Sequence, residues 1–366
     1  MRYCIIFLVC VWFAFCGSLS VEAASIDISE QAGLDRLIEA LPQEARDLLL
    51  SSGIAPEKAD PSSFEKLLQN LGEELRNTVS FPYKTLLSVF AVILVTKIAA
   101  ELTSEELQYA VQMSGTAAVT LLLVPSMLNL ISETAGAVKT INHFLLAAIP
   151  VYVGILTISG NPAIGSTYGS LTLTAANGML TLCTGLILPL TQIFLALSCT
   201  AAITRVEIDR IPDALYKALK WLITISVSLF TGILSIQTLI AGQTDVVTGK
   251  AAKMLASGMV PIVGGAFSDA ISVMASSVSA LKSGAGVFGL LGSLVLLLPT
   301  AVQICSRILI CEAVEFVSTV FGGLRLKSMI HSCSALLKLL LAILFSAGAV
   351  SVVAAAVLLR VRGVYG

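Results

Sequence analysis

The chain has 366 residues, 56% of them hydrophobic and 12% charged, with a net charge of −1 and a mean hydropathy of +0.93. A soluble domain of this length carries roughly 25% charged residues to cover its surface, a need that lipid removes when it is the solvent for the outer face. The near-zero net charge gives no basic field for nucleic acid, and two histidines far apart, His143 and His331, argue against a His-rich metal centre.

At the start, Arg2 precedes an apolar run from Tyr3 to Phe15, and Val21-Glu22-Ala23-Ala24 comes soon after. Val21 and Ala23 suit the −3 and −1 positions of a signal peptidase site, so residues 1–23 read as a signal peptide. An uncleaved anchor is the other reading, and both permit export of residues 24–80. That segment carries eleven acids against five bases. Leu34, Leu37, Ile38 and Leu41, and further on Phe64, Leu67, Leu68, Leu71 and Leu75, recur at helical spacing. Ala55-Pro56 and Asp60-Pro61 mark the joint between two short helices. Acid excess suits a non-cytoplasmic location, because positive charge resists translocation.

Residues 81–366 form a polytopic membrane domain, giving an all-α fold with a small exported helical segment in front. Apolar stretches are expected to span at about 86–100, 115–131, 144–159, 171–203, 221–242, 286–304 and 335–359, about seven to eight passes in all. The stretch 171–203 would be about 50 Å long as one helix, and Gly178, Gly185 and Pro189 interrupt it. It is therefore expected to turn back on itself. Charge supports the same turn. The loop Arg205 to Lys220 holds Arg205, Arg210, Lys217 and Lys220 and belongs on the cytoplasmic side, which requires an odd number of crossings before it. Arg325 and Lys327 also favour the cytoplasm, as do Arg360 and Arg362, although one span separates the two pairs. Cys183, Cys199, Cys305, Cys311 and Cys333 lie in or beside apolar stretches without CxxC spacing. Their odd number excludes a complete disulfide framework, and they read as small packing residues.

Residues 250–292 differ from the rest. Pro261 and Gly264-Gly265 divide them into a leading piece and a helix expected over 266–283. In that helix Phe267, Ile271, Met274, Val278 and Leu281 form an apolar stripe. Asp269, Ser272, Ser276, Ser279 and Ser283 form a polar one at matching steps. The polar face either lines water or a partner subunit, or packs closely against another helix. Asp269 is the more telling residue, since a carboxylate at membrane depth normally faces water or a counter-charge. Lys97 is placed to meet Glu101. Glu312 and Glu315 share a helix face near Arg307, and read as an interfacial helix rather than an acid–base pair. No GxSxG, HExxH, Walker loop or dinucleotide fingerprint is present, so the chain is not expected to be an enzyme or to hold a cofactor or metal.

The run Lys253-x₇-Pro261-Ile-Val-Gly264-x-x-Phe267-Ser-Asp269-Ala270, then Leu281-Lys282 and Gly286-x-x-Gly289, resembles the stage III sporulation protein AE family of endospore-forming bacteria. So does Asn142-His143-Phe144-Leu-Leu-Ala-x₂-Pro150. The resemblance implies a subunit of the channel joining mother cell and forespore, needed for late forespore gene expression. It would sit in the mother-cell membrane around the forespore. Its partners would be the other stage III A-operon proteins and, through them, a forespore membrane protein. The alternative class is a self-sufficient secondary transporter, which would show two matching halves; broken helices are present, without a clear repeat.

Overall fold

A computed structural model describes residues 35–54, 83–158, 162–203, 210–230, 264–321 and 324–360, with isolated positions between 66 and 72 and at 232. Nearly all of these residues are helical, with no strand among them. The signal peptide expected at 1–23 lies outside the described residues, as do Pro261 and Arg362.

Two short helices come first, α1 (Asp35–Glu39) and α2 (Gln43–Ser51). Pro42 precedes α2, where its fixed φ suits a helix entry. Arg46 folds back, donating from Nε to the Ile38 carbonyl at 3.1 Å and from Nη2 to the Glu39 carbonyl at 3.1 Å. This satisfies acceptors that the end of α1 leaves open. Gly53, at φ 77°, closes α2. Its N–H reaches the Leu50 carbonyl at 3.0 Å and that of Ile54 reaches Leu49 at 3.0 Å, the paired bonds that a left-handed residue makes possible at a helix end. Leu37, Leu41, Leu49, Ile54 and Leu67 are buried together against the main bundle.

That bundle contains α3 (Tyr83–Glu101), α4 (Glu105–Ile158), α5 (Pro162–Leu182), a π-helical turn (Cys183–Ile187) running straight into α6 (Leu188–Ile203), α7 (210–230), α8 (Gly264–Phe321) and α9 (Leu324–Arg360). The seven expected stretches therefore fall on fewer and longer helices. Four of these are long and apolar enough to cross a membrane: Glu105–Ile158, Gly165–Ile203, Gly284–Thr319 and Leu326–Ala355.

Helix α4 and the α5–α6 pair correct two expectations. The stretches 115–131 and 144–159 are not separate spans but parts of α4, whose 54 residues make a rod of about 81 Å. Between them Thr134, Val138, Ile141 and Asn142 point inward while Glu133, Gly136, Lys139 and His143 are exposed. Hydropathy dips there because the outer face is polar, not because the helix stops. Likewise 171–203 does not turn back. At Leu188 the N–H bonds to the Cys183 carbonyl, five residues earlier. The widened turn accommodates Pro189, which lacks an N–H for the Gly185 carbonyl; glycine at 185 also leaves the proline ring room. Tyr168 lies within α5.

The antiparallel helices α3, α4 and α5–α6 thus precede the basic segment at 205–220. Two of these, α4 and α5–α6, are among the helices long and apolar enough to cross a membrane. Helices α8 and α9 form an antiparallel hairpin, which puts the start of α9 and its last residues at opposite ends. The turn shares its end with the close of α6.

Helix α9 is the centre of the bundle. Leu339, Leu340 and Leu341 are all buried, at 0–4% exposure, and three successive positions cover every face of a helix. Helices α4, α5–α6 and α8 surround it. In lipid such a helix is held by close packing rather than by exclusion of water.

Candidate functional site

The sequence-predicted site falls on α8. The described helix runs from Gly264, so Gly264-Gly265, expected to interrupt the chain, are helical, while Pro261 lies outside the described residues. Phe267, Asp269, Ser272, Ser276, Ser279 and Ser283 therefore belong to one uninterrupted helix that continues into the bundle without a break at Gly284. The side chains of 264–283 lie outside the described residues. Residues 264–283 amount to about 30 Å of helix. Extending the hairpin register, in which Ser293 meets Ser351 and Glu315 meets His331, sets the residues before Gly284 level with positions after Arg360, which lie outside the described residues.

Where α8 enters the bundle it meets α4 at very close range. A Cβ on Gly289 would overlap the Tyr152 hydroxyl, and one on Gly292 would lie 2.8 Å from Phe144 Cζ. Each of two sequence motifs takes part in one of these contacts, Phe144 of the Asn142–Pro150 run against Gly292 and Gly289 of Gly286-x-x-Gly289 against Tyr152. In the first of these Asn142 is buried with no partner for its Nδ2 among the described residues. It faces α5 and α9 beside a gap of about 10 Å³, while His143 is exposed. Gly165 and Gly169 do the same between α5 and α4. A Cβ on Gly169 would come 2.7 Å from Val153 Cγ2, so this GxxxG is a helix-packing element. Tyr168, between them, donates its hydroxyl to the Ala354 carbonyl at 2.9 Å.

A second cluster sits near the α8–α9 turn. Lys338 Nζ is 3.1 Å from Glu312 Oε1, and His331 Nδ1 is 3.3 Å from Glu315 Oε1. Arg307 donates to the Ser126 carbonyl at 3.2 Å and to the Ser126 hydroxyl, linking α8 to α4. Ser126 follows Pro125, and the arginine anchors α8 at this point of α4. Glu312 and Glu315 are therefore parts of a helix interface, as their spacing suggested. Their partners, His331 and Lys338, were missed. Lys338 carried a signal, because an ammonium inside an apolar stretch of leucines needs a counter-charge. Lys97 and Glu101 pair within α3 at 2.8 Å, one turn apart. Cys183, Cys311 and Cys333 are buried thiols.

Residues 52–361 match the family described as Stage III sporulation protein AE. The chain belongs to the stage III sporulation protein AE family. It is also 23% identical over 194 residues to Stage III sporulation protein AE of Bacillus subtilis (strain 168), an alignment that covers 53% of this chain and 49% of that relative. The chain thus aligns with about half the length of the curated protein it matches. No solved structure matches. The stage III sporulation protein AE match takes in every bundle helix, both glycine contacts and the polar stripe on α8, and begins just after α2, at residue 52.

Proposed function

We propose that the chain is an integral membrane subunit of a multiprotein channel between mother cell and forespore, required to complete endospore formation and late forespore gene expression. The family match over residues 52–361 carries this reading. The role is structural and conductive rather than enzymatic. The protein sits in the mother-cell membrane around the forespore, with residues 24–80 on the non-cytoplasmic side and the basic segment 205–220 in the cytoplasm. Its partners are the other stage III A-operon membrane proteins and, through them, a forespore membrane protein. The polar stripe Asp269, Ser272, Ser276, Ser279 and Ser283 faces water or one of those partners. Support for this comes from α8, one uninterrupted helix on which the five residues recur at helical spacing.

Deletion of the gene tests the function: sporulation should stop after engulfment begins while vegetative growth continues, and normal spore yield would refute it. Asp269→Asn tests the stripe. It keeps shape and removes charge, so spore yield should fall while protein level stays near wild type. Normal sporulation with Asp269→Asn, together with mere loss of protein in Ser276→Leu, would make the stripe a packing surface.

A further inference from the structure

Among the described residues, the buried polar side chains are Ser and Thr hydroxyls with one exception, Asn142. A hydroxyl in a helix can bond back to a carbonyl one turn earlier, as Thr134 does to Leu130 at 2.7 Å and Thr120 to Thr116 at 2.8 Å. An amide carries its two donor hydrogens farther from the backbone and needs a partner outside its own turn. Asn142 is 7% exposed, and its Nδ2 has no hydrogen-bond partner in the protein. Inside a membrane-spanning bundle, bulk water cannot supply one. The side chain lies against a gap of about 10 Å³ between three helices, lined by Val138 on α4, Met179 and Leu180 on α5, and Ala347 and Val350 on α9. One water needs about 10–15 Å³ of such space for its centre, so the gap has room for a single water.

We infer that one structural water is bound in this gap, held by Asn142 Nδ2 and bridging α4 to α5. The water oxygen accepts from the amide N–H. Its own hydrogens go to acceptors that line the same space. One is the Met179 thioether, a weak acceptor, and the other is the Val138 carbonyl, whose second lone pair the helical ladder leaves free. About three partners is the usual number for a buried water. A donor aimed inward selects an acceptor, so a water oxygen suits the amide where a cation does not. Asn142, the first residue of the Asn142–Pro150 run, thereby becomes a connector between helices. The inference stands on the packing of α4, α5 and α9 and does not depend on the channel role.

The test is hydroxyl-radical footprinting by X-ray radiolysis of the purified full chain in nanodiscs, with methionine oxidation read by mass spectrometry. Radicals formed from a bound water attack the side chain beside it, however little of that side chain meets bulk solvent. Met179 and Met127 are each 2% exposed and make a matched pair. The expected result is that Met179 is oxidised at least about threefold faster than Met127. Asn142→Leu puts methyl groups in place of the amide and should bring Met179 down to the Met127 rate while Met127 stays unchanged. Ala347→Val fills the gap from α9 with Asn142 still in place, and should slow Met179 as well. Equal rates for Met179 and Met127 in the unaltered chain would overturn the inference, whatever the variants do. So would an undiminished Met179 rate in folded Asn142→Leu and Ala347→Val, since the gap would then be dry and the oxidation would come from elsewhere.

Discussion

Near the α8–α9 turn the hairpin is held by charge, Glu312 with Lys338 and Glu315 with His331, on side chains that remain partly in contact with solvent or lipid. Toward its open end the same hairpin is held by contact. Ser293 and Ser351 share a hydrogen bond of 2.6 Å, Tyr168 reaches the Ala354 carbonyl, and Gly289 and Gly292 let Tyr152 and Phe144 lie directly on the α8 backbone. Long flexible ion pairs tolerate small shifts, whereas a glycine under an aromatic ring does not. The open end therefore fixes how α8 and α4 sit against each other, and the turn end only biases it.

This contrast sets the order of expected effects. Gly289→Ala should be the most damaging, because the new methyl overlaps the Tyr152 hydroxyl at a fully buried site. Overpacking of this kind costs about 1–3 kcal/mol. Adding Tyr152→Phe removes the clashing oxygen and should recover part of the loss. Thermal unfolding in nanodiscs reads both, and two strictly additive losses would show that the contact does not matter. Ser293→Ala should come next, at about 1 kcal/mol. In a double-mutant cycle with Ser351→Ala the second substitution should cost little once the first is made; full additivity would mean that the two hydroxyls do not depend on each other. Lys338→Met should do least. Lys338 is 32% exposed and Glu312 52% exposed, and such pairs contribute about 0.2–1 kcal/mol. Raising the salt concentration should shrink even that difference. A loss larger than that of Gly289→Ala would reverse the comparison between the two ends.

The all-helical membrane class was plain from the chain, since hydropathy and scarce charge both demand it. Two features were hidden by the averaging of opposite faces. At 132–143 the inward Val138 and Ile141 are offset by the outward Glu133 and Lys139, so a continuous helix looks like a linker. In 171–203 the glycines and Pro189 looked like a turn, while the π-helical residues between them absorb the defect. Pairing was the least legible. That Glu315 meets His331, or that Gly289 lies under Tyr152, depends on how helices align in space, and spacing within one helix carries no trace of it.

The π-helical turn also governs rotation. A residue advances an α-helix by about 100°, and the extra residue in Cys183–Ile187 sets the phase of the whole of α6. With it, Thr191, Phe194, Leu195 and Ser198 all point into the bundle. Removing a single residue there would restore an ordinary ladder and look harmless locally. Yet it would act as a screw, turning the sixteen residues of α6 so that Phe194 leaves the Tyr216 ring, whose centroid lies 6.1 Å away, and the buried hydroxyls swing outward. The irregular turn is the gear that keeps two halves of one long helix meshed with the same neighbours.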